Sequence, residues 1–326
     1  MPPGHWCKDN MTLPPFIMTP SFRSGALTPW GGRKLAKLYN KQIPDDHTGE
    51  SLEISVIPEF ESKSHGVTLS ELIIKYGAAL TGSQVNAPFP LLLKLIDARE
   101  TLSVQVHPGD DYAWLRHRKL GKSEAWTILA AAPDASLVLG FREGVTPDLV
   151  RDHITRGNQI KALLRQVPVH PGETFYMPSG TVHAIGGGIV LYEIQQSSDL
   201  TYRLYDWDRK DANGKSRDLH IRESLDVIDI SSRPLAAVPV PLPAEGKGNY
   251  ELLLDNANFK LFRLRSCREM RVLPDPGYFS VLTALEHGAL TWSGGQLDMQ
   301  KGQTALLPAD GFELRFSGAL ALLAKP

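Results

Sequence analysis

Two histidines, a glutamate and a glutamine carry the clearest chemical signal in this chain. The run Gly172-Glu173-Thr174-Phe175-Tyr176-Met177-Pro178-Ser179-Gly180-Thr181-Val182-His183 reads as a short strand, a tight Pro-Ser-Gly turn and a histidine opening the next strand. In Thr101 to His107, period-two alternation puts Leu102, Val104 and Val106 on one face and Ser103, Gln105 and His107 on the other. Glu124 begins a strand on which it shares a face with Trp126 and Ile128. A carboxylate among apolar neighbours is costly unless it is paired or bound to a metal. Each residue alone has a plain explanation, such as a surface histidine after a turn or an amphipathic strand with its polar face in water. Together, two imidazoles and one carboxylate suit Zn²⁺, with the Gln105 carbonyl or a water completing the set. Fe²⁺ and Mn²⁺ tolerate the same donors, so the residue types do not choose the metal.

Other charged residues stand where charge is out of place. Lys94 interrupts the apolar strand Pro90 to Ile96, at a sheet edge or facing a polar cavity, with packing of its alkyl stem as the plain reading. Glu193 sits mid-strand between apolar neighbours, where burial would raise its pKa toward the range of a general base. Its plain reading is a structural carboxylate paired with Arg203. Arg203 lies between Tyr202 and Leu204 in a β-like run, and Lys122 is two residues before Glu124.

The elements that must position these groups are mostly strands. A chain of 326 residues with 42% hydrophobic and 22% charged residues can build one large or two modest cores. Residues 1–18 are Pro-rich and aperiodic and read as a loose arm, with Met11 and Met18 as further possible start codons. Thr68 to Tyr76 has a capping threonine, apolar residues at helical spacing and a terminal Gly77, which predicts a helix. Residues 144–166 predict a helical insertion, a helix pair broken at Gly157-Asn158. Residues 233–248, with Pro234, Pro239, Pro241 and Pro243, read as a linker. Beyond it, Gly302-Gln303-Thr304-Ala305-Leu306-Leu307-Pro308 echoes Gly172 to Pro178, but Glu313 stands near where a histidine would fall. The expectation is an internal repeat without a metal site.

A net charge of −1 gives no bulk field toward nucleic acid or an anionic membrane. No segment approaches a membrane span, and no basic-then-apolar leader is visible. Cys7 and Cys267 fit no redox or metal spacing, so both read as unpaired in a reducing, cytoplasmic setting.

The Pro178 to His183 spacing resembles the second motif of the cupin barrels. More widely, the chain resembles the type I phosphomannose isomerases in their short bacterial form. The likeness lies in Trp30-Gly31-Gly32, Gly49 to Ser55, Pro90 to Ile96, Leu102 to Pro108, Gly121 to Trp126, Pro178 to Ala184, and Glu193 through Arg203 to Trp207, spanning residues 19–210. It implies a mostly β fold of two cupin-like (jelly-roll) β-barrel halves, a catalytic half over 19–232 and a looser second half over 249–326. It also implies zinc ligands at Gln105, His107, Glu124 and His183, one Zn²⁺ per chain, and a catalytic arginine at Arg203. The implied reaction interconverts mannose 6-phosphate and fructose 6-phosphate through an enediol-type proton transfer. For that chemistry Glu193 is the first candidate base, Lys122 could bind phosphate or assist proton transfer, and Lys94 and Arg203 could contact the phosphate. The expected partner is a small sugar phosphate, with no nucleic acid or membrane, and the chain is expected as a monomer or homodimer. A non-catalytic sugar-phosphate-binding cupin regulator and an Fe²⁺/O₂ cupin oxygenase are the competing readings. Nothing expected of the isomerase site is missing, and Gln105 replaces a histidine that oxygenase sites more often carry.

Overall fold

The computed structural model describes residues 12–326 apart from 86–87, 156–157, 211–212, 273–274 and 276. Its first half is two facing antiparallel sheets. One has the strand order Thr174–Met177, Glu124–Ala130, Ile189–Gln196, Leu91–Ala98, Glu50–Ile54, Ser21–Arg23. The other runs Leu164–Pro168, Ser136–Phe141, His183–Ile185, Val104–Val106, Tyr202–Tyr205. The second half is a nine-stranded sheet dominated by Lys260–Val272 and Leu314–Lys325. This is the expected mostly β, two-half architecture. The sheets of the described residues are open runs, however: two facing sheets in the first half and one nine-stranded sheet in the second, with no closed barrel among the described residues.

The central strands of the first sheet are buried on both faces. Leu91, Leu93, Leu95, Tyr192 and Ile194 pack with Leu261, Phe279, Val281, Leu306 and Leu322 in one core joining the halves. The alternate residues of the same strands face the interior of the first half, where Ile96, Ala98, Ile189 and Leu191 pack and Lys94 and Glu193 are the charged exceptions. Lys94 is therefore no edge residue: its strand pairs with neighbours on both sides, and its side chain points into a polar cavity.

Several expected boundaries move. Residues 12–18 do not form a loose arm, for Phe16–Met18 pairs with Thr304–Leu307 and Leu13 is buried against Gly311; residues 1–11 lie outside those described. The helix Leu69–Tyr76 forms as expected, with a full capping box between Thr68 and Glu71. In the insertion, Pro147–Thr155 is a helix, but Asn158–Leu163 is a short 3-10 turn and Leu164 already begins a strand; Gly157 lies outside the described residues. The linker is shorter than 233–248, because Val240–Leu242 pairs with Lys247–Asp255 as the edge of the second sheet. Pro241 is tolerated there because an edge strand needs no donor on its open side. Asp110–His117 is a helix, with Asp110 and Asp111 placed favourably in its positive first turn.

Candidate metal centre and cavity

His183 is presented by a turn that its sequence dictates. Gly180 takes φ +86°, which its missing Cβ permits, and its N–H donates to the His107 carbonyl at 2.8 Å. That bond ties the two histidine segments together. In the five-stranded sheet, Gln105 stands opposite His183 on one side and Arg203 on the other. A single rung therefore reads His183, Gln105, Arg203. Glu124 comes from the opposite sheet, where it pairs in register with Met177 and Gln195.

Donor atoms of His107, Glu124 and His183 lie within 4.8 Å of one another, and all three residues are buried. Each imidazole binds a backbone carbonyl through Nδ1, His107 to Leu200 at 2.8 Å and His183 to Thr181 at 2.9 Å. These bonds fix the tautomer and turn both Nε2 atoms toward the Glu124 carboxylate, 3.5 and 3.3 Å away. Burial, reinforced by the Lys122 charge, pushes the His107 pKa down to about 3, and burial lowers that of His183 as well. Burial alone would raise that of Glu124, but Lys122, His107 and His183 outweigh it and hold the carboxyl well below its ordinary range. Two neutral imidazoles and an ionised carboxylate are the protonation states a divalent cation needs. Glu124 Oε1 is buried with no hydrogen-bond partner among the described residues, so the donor set has free acceptor capacity. The residues fit a metal.

Gln105 and Lys122 flank this group. Gln105 Nε2 is 3.3 Å from His183 Nε2. Lys122 Nζ donates to His107 Nε2 at 2.9 Å and also contacts Glu124 Oε2.

Beside them opens a cavity of about 320 Å³ lined by Lys94, Gln105, Lys122, Glu193 and Arg203. Every candidate outside the buried trio thus reaches one space. Glu193 is not paired with Arg203, which corrects the plain reading of that carboxylate. Lys94 Nζ is 3.0 Å from its Oε1, and Trp126 Nε1–H donates to its Oε2 at 2.9 Å. Lys94 lies directly opposite Glu193 on the next strand, with Trp126 opposite on the other side, so register alone brings the three together. Arg203 Nη1 donates to the Asp218 carbonyl at 2.9 Å, while its buried Nε has no partner among the described residues.

The sequence reading missed Arg23, Glu50 and Arg217, which also line the cavity. Glu50 lies 3.3 Å from Arg23 and 3.5 Å from Lys94. Burial opposes its charge, but Lys94, Arg23 and Lys122 more than offset this and keep its pKa below the ordinary value. A carboxylate on a fully buried strand is the signal that identified Glu124, and it could have identified Glu50. Arg217 sits in a loop with no periodicity, and no local signal marks it.

A profile of the phosphomannose isomerase type I catalytic domain matches residues 22–125. A mannose-6-phosphate isomerase of Streptococcus mutans is 37% identical over 300 residues, 90% of this chain and 93% of its own length. The mannose-6-phosphate isomerase ManA of Bacillus subtilis is 44% identical over 230 residues, 69% of this chain and 71% of its own. A crystal structure of the mannose 6-phosphate isomerase from Bacillus subtilis superposes with a TM-score of 0.88 at 28% identity, covering 96% of this chain and 100% of that one. No helix among the described residues is long and apolar enough to cross a membrane.

Proposed function

The chain belongs to the type I phosphomannose isomerases, and we propose from that premise that it interconverts mannose 6-phosphate and fructose 6-phosphate with one Zn²⁺ per chain. The observation that carries the reading is a buried His107, Glu124, His183 group opening onto a cavity lined with both acid and base side chains. His107, Glu124 and His183 would hold the ion, with the Gln105 amide turned so that its carbonyl completes the set. Bound there, Zn²⁺ would act as a Lewis acid on the carbonyl and hydroxyl oxygens at the reacting carbons of the opened sugar.

The chain's own side chains supply the rest. Glu193 is the base that moves the proton between C1 and C2, because its carboxylate faces the cavity and is aimed by Trp126 and Lys94. Arg203, one strand from Gln105, directs its buried Nε–H at the developing oxyanion. Lys122 reaches between the metal group and the cavity and holds substrate oxygen there.

The test is conversion of mannose 6-phosphate to fructose 6-phosphate before chelation, after it, and with Zn²⁺ restored. Activity should vanish and return. A folded, zinc-loaded chain without turnover would overturn the isomerase reading. Arg203→Ala should lower turnover by roughly a hundredfold or more while metal content stays unchanged; near-normal turnover would remove Arg203 from the mechanism.

A further inference from the structure

Lys94 in the cavity is balanced by Glu193 and Glu50, Arg23 by Glu50, and Lys122 by Glu124. The end of the cavity at Arg203 is different. Arg203 is held by a backbone carbonyl, and the next guanidinium, Arg217, shares a single carboxylate with Arg209. That carboxylate, Asp206, is buried, and it grips Arg217 through Nε at 2.7 Å and Nη2 at 2.6 Å. The two bonds lock the planar fork and leave its Nη1 group outside the ion pair.

We propose that Arg217 anchors the phosphate of the substrate and that Asp206 is the positioning residue that aims it. The assignment rests on the sugar-phosphate reading above. The loop that carries Arg217 is fastened beside the site: His220 N–H donates to the Arg203 carbonyl at 2.9 Å, and His220 Nδ1 accepts from the Arg203 N–H at 3.2 Å. Burial, then the neighbouring Arg217 charge, pulls the Arg203 pKa below its ordinary value, with Asp206 opposing. Two guanidiniums facing one space repel each other until an anion enters between them, and a dianionic phosphate can accept from the Nη1 donors that Asp206 leaves outside its ion pair. The geometry also runs the right way. His183, Gln105 and Arg203 form one rung leading away from the metal group, and an opened sugar phosphate carries its reacting carbons and its phosphate at opposite ends.

The test measures KM and kcat for mannose 6-phosphate, and the affinity of the zinc-loaded chain for inorganic phosphate by calorimetry, in Arg217→Gln, Arg217→Lys and Asp206→Asn. Arg217→Gln should raise KM and weaken phosphate binding by roughly tenfold or more, with a smaller change in kcat. Arg217→Lys, which keeps the charge but loses the fork, should fall between it and wild type, and it carries the test if the glutamine variant does not fold. Asp206→Asn should move both quantities the same way. Unchanged KM and phosphate affinity in folded Arg217 variants would overturn the proposal. A chain that binds inorganic phosphate through Arg217 yet does not turn over mannose 6-phosphate would uphold the anchor and remove the isomerase reading.

Discussion

The two halves of this protein repeat one backbone and carry opposite interiors. In the first, Thr174 to Met177 pairs with Thr127 to Glu124; in the second, Thr304 to Leu307 pairs with Thr283 to Ser280 in the same register. Gly172 and Gly302 both take positive φ, +93° and +85°, and donate to the equivalent carbonyls of Ile128 and Ala284. Each half also has a threonine pair joined by a hydroxyl bond, Thr127 with Thr174 and Thr283 with Thr304. Inside, the correspondence of side chains ends. Where the first half has Glu124, Trp126, Glu193 and Lys94, the same register positions of the second hold Ser280, Leu282, Leu323 and Phe262. Leu282, Leu323 and Phe262 belong to a closed apolar core. Backbone register is therefore indifferent to chemistry, and a few inward positions decide whether a half becomes a site or a core.

The comparison can be broken most severely at the metal group. Glu124→Ser copies the second half's residue into the first, and turnover should fall by about a thousandfold or more as the ion's anionic ligand is lost. Glu313→Ala, changing the half-exposed residue that stands where His183 would fall, should leave turnover within about twofold. An active Glu124→Ser variant would show that the two interiors are not functionally opposed.

The threonine pairs separate the halves more finely. Across the junction of the halves Thr304 also donates to Glu53, a buried carboxylate that pairs with Lys41 at 2.6 Å. Thr304→Val should destabilise the fold by about 2 kcal/mol in urea unfolding, because the hydroxyl serves a charged group. Thr127→Val removes only a neutral pair and should cost about 1 kcal/mol. Equal losses would mean that Glu53 draws nothing from Thr304. The smallest effect is expected at Ser280, whose buried hydroxyl has no partner among the described residues. Ser280→Ala should change stability by less than about 0.5 kcal/mol.

Much of this contrast is readable in the chain itself. The Gly172 to Pro178 echo at Gly302 to Pro308 and the absence of a histidine near 313 give both the repeat and its divergence. Period-two alternation puts Gln105 on the His107 face and Glu124 on the Trp126 face, since a buried strand exposes its polar exceptions, whereas Lys94 stays open between a sheet edge and a cavity until pairing on both sides decides it. What alternation does not give is who faces whom across strands. For Glu193, read as the first candidate base, the plain alternative of a pair with Arg203 stays open until register sets it between Lys94 and Trp126. Residues 12–18 read as loose because a three-residue strand owes its structure to Thr304–Leu307, almost the whole chain away. Arg217 is invisible for the same reason: its place depends on Asp206 and His220, not on its neighbours in sequence.

The most direct test of this division is metal stoichiometry, measured by elemental analysis on the wild-type chain and on His183→Ala after equilibration with Zn²⁺. One equivalent in the wild type and none in the variant is the predicted result. Full retention of zinc by folded His183→Ala would place the metal elsewhere and contradict the assignment of the site to the first half.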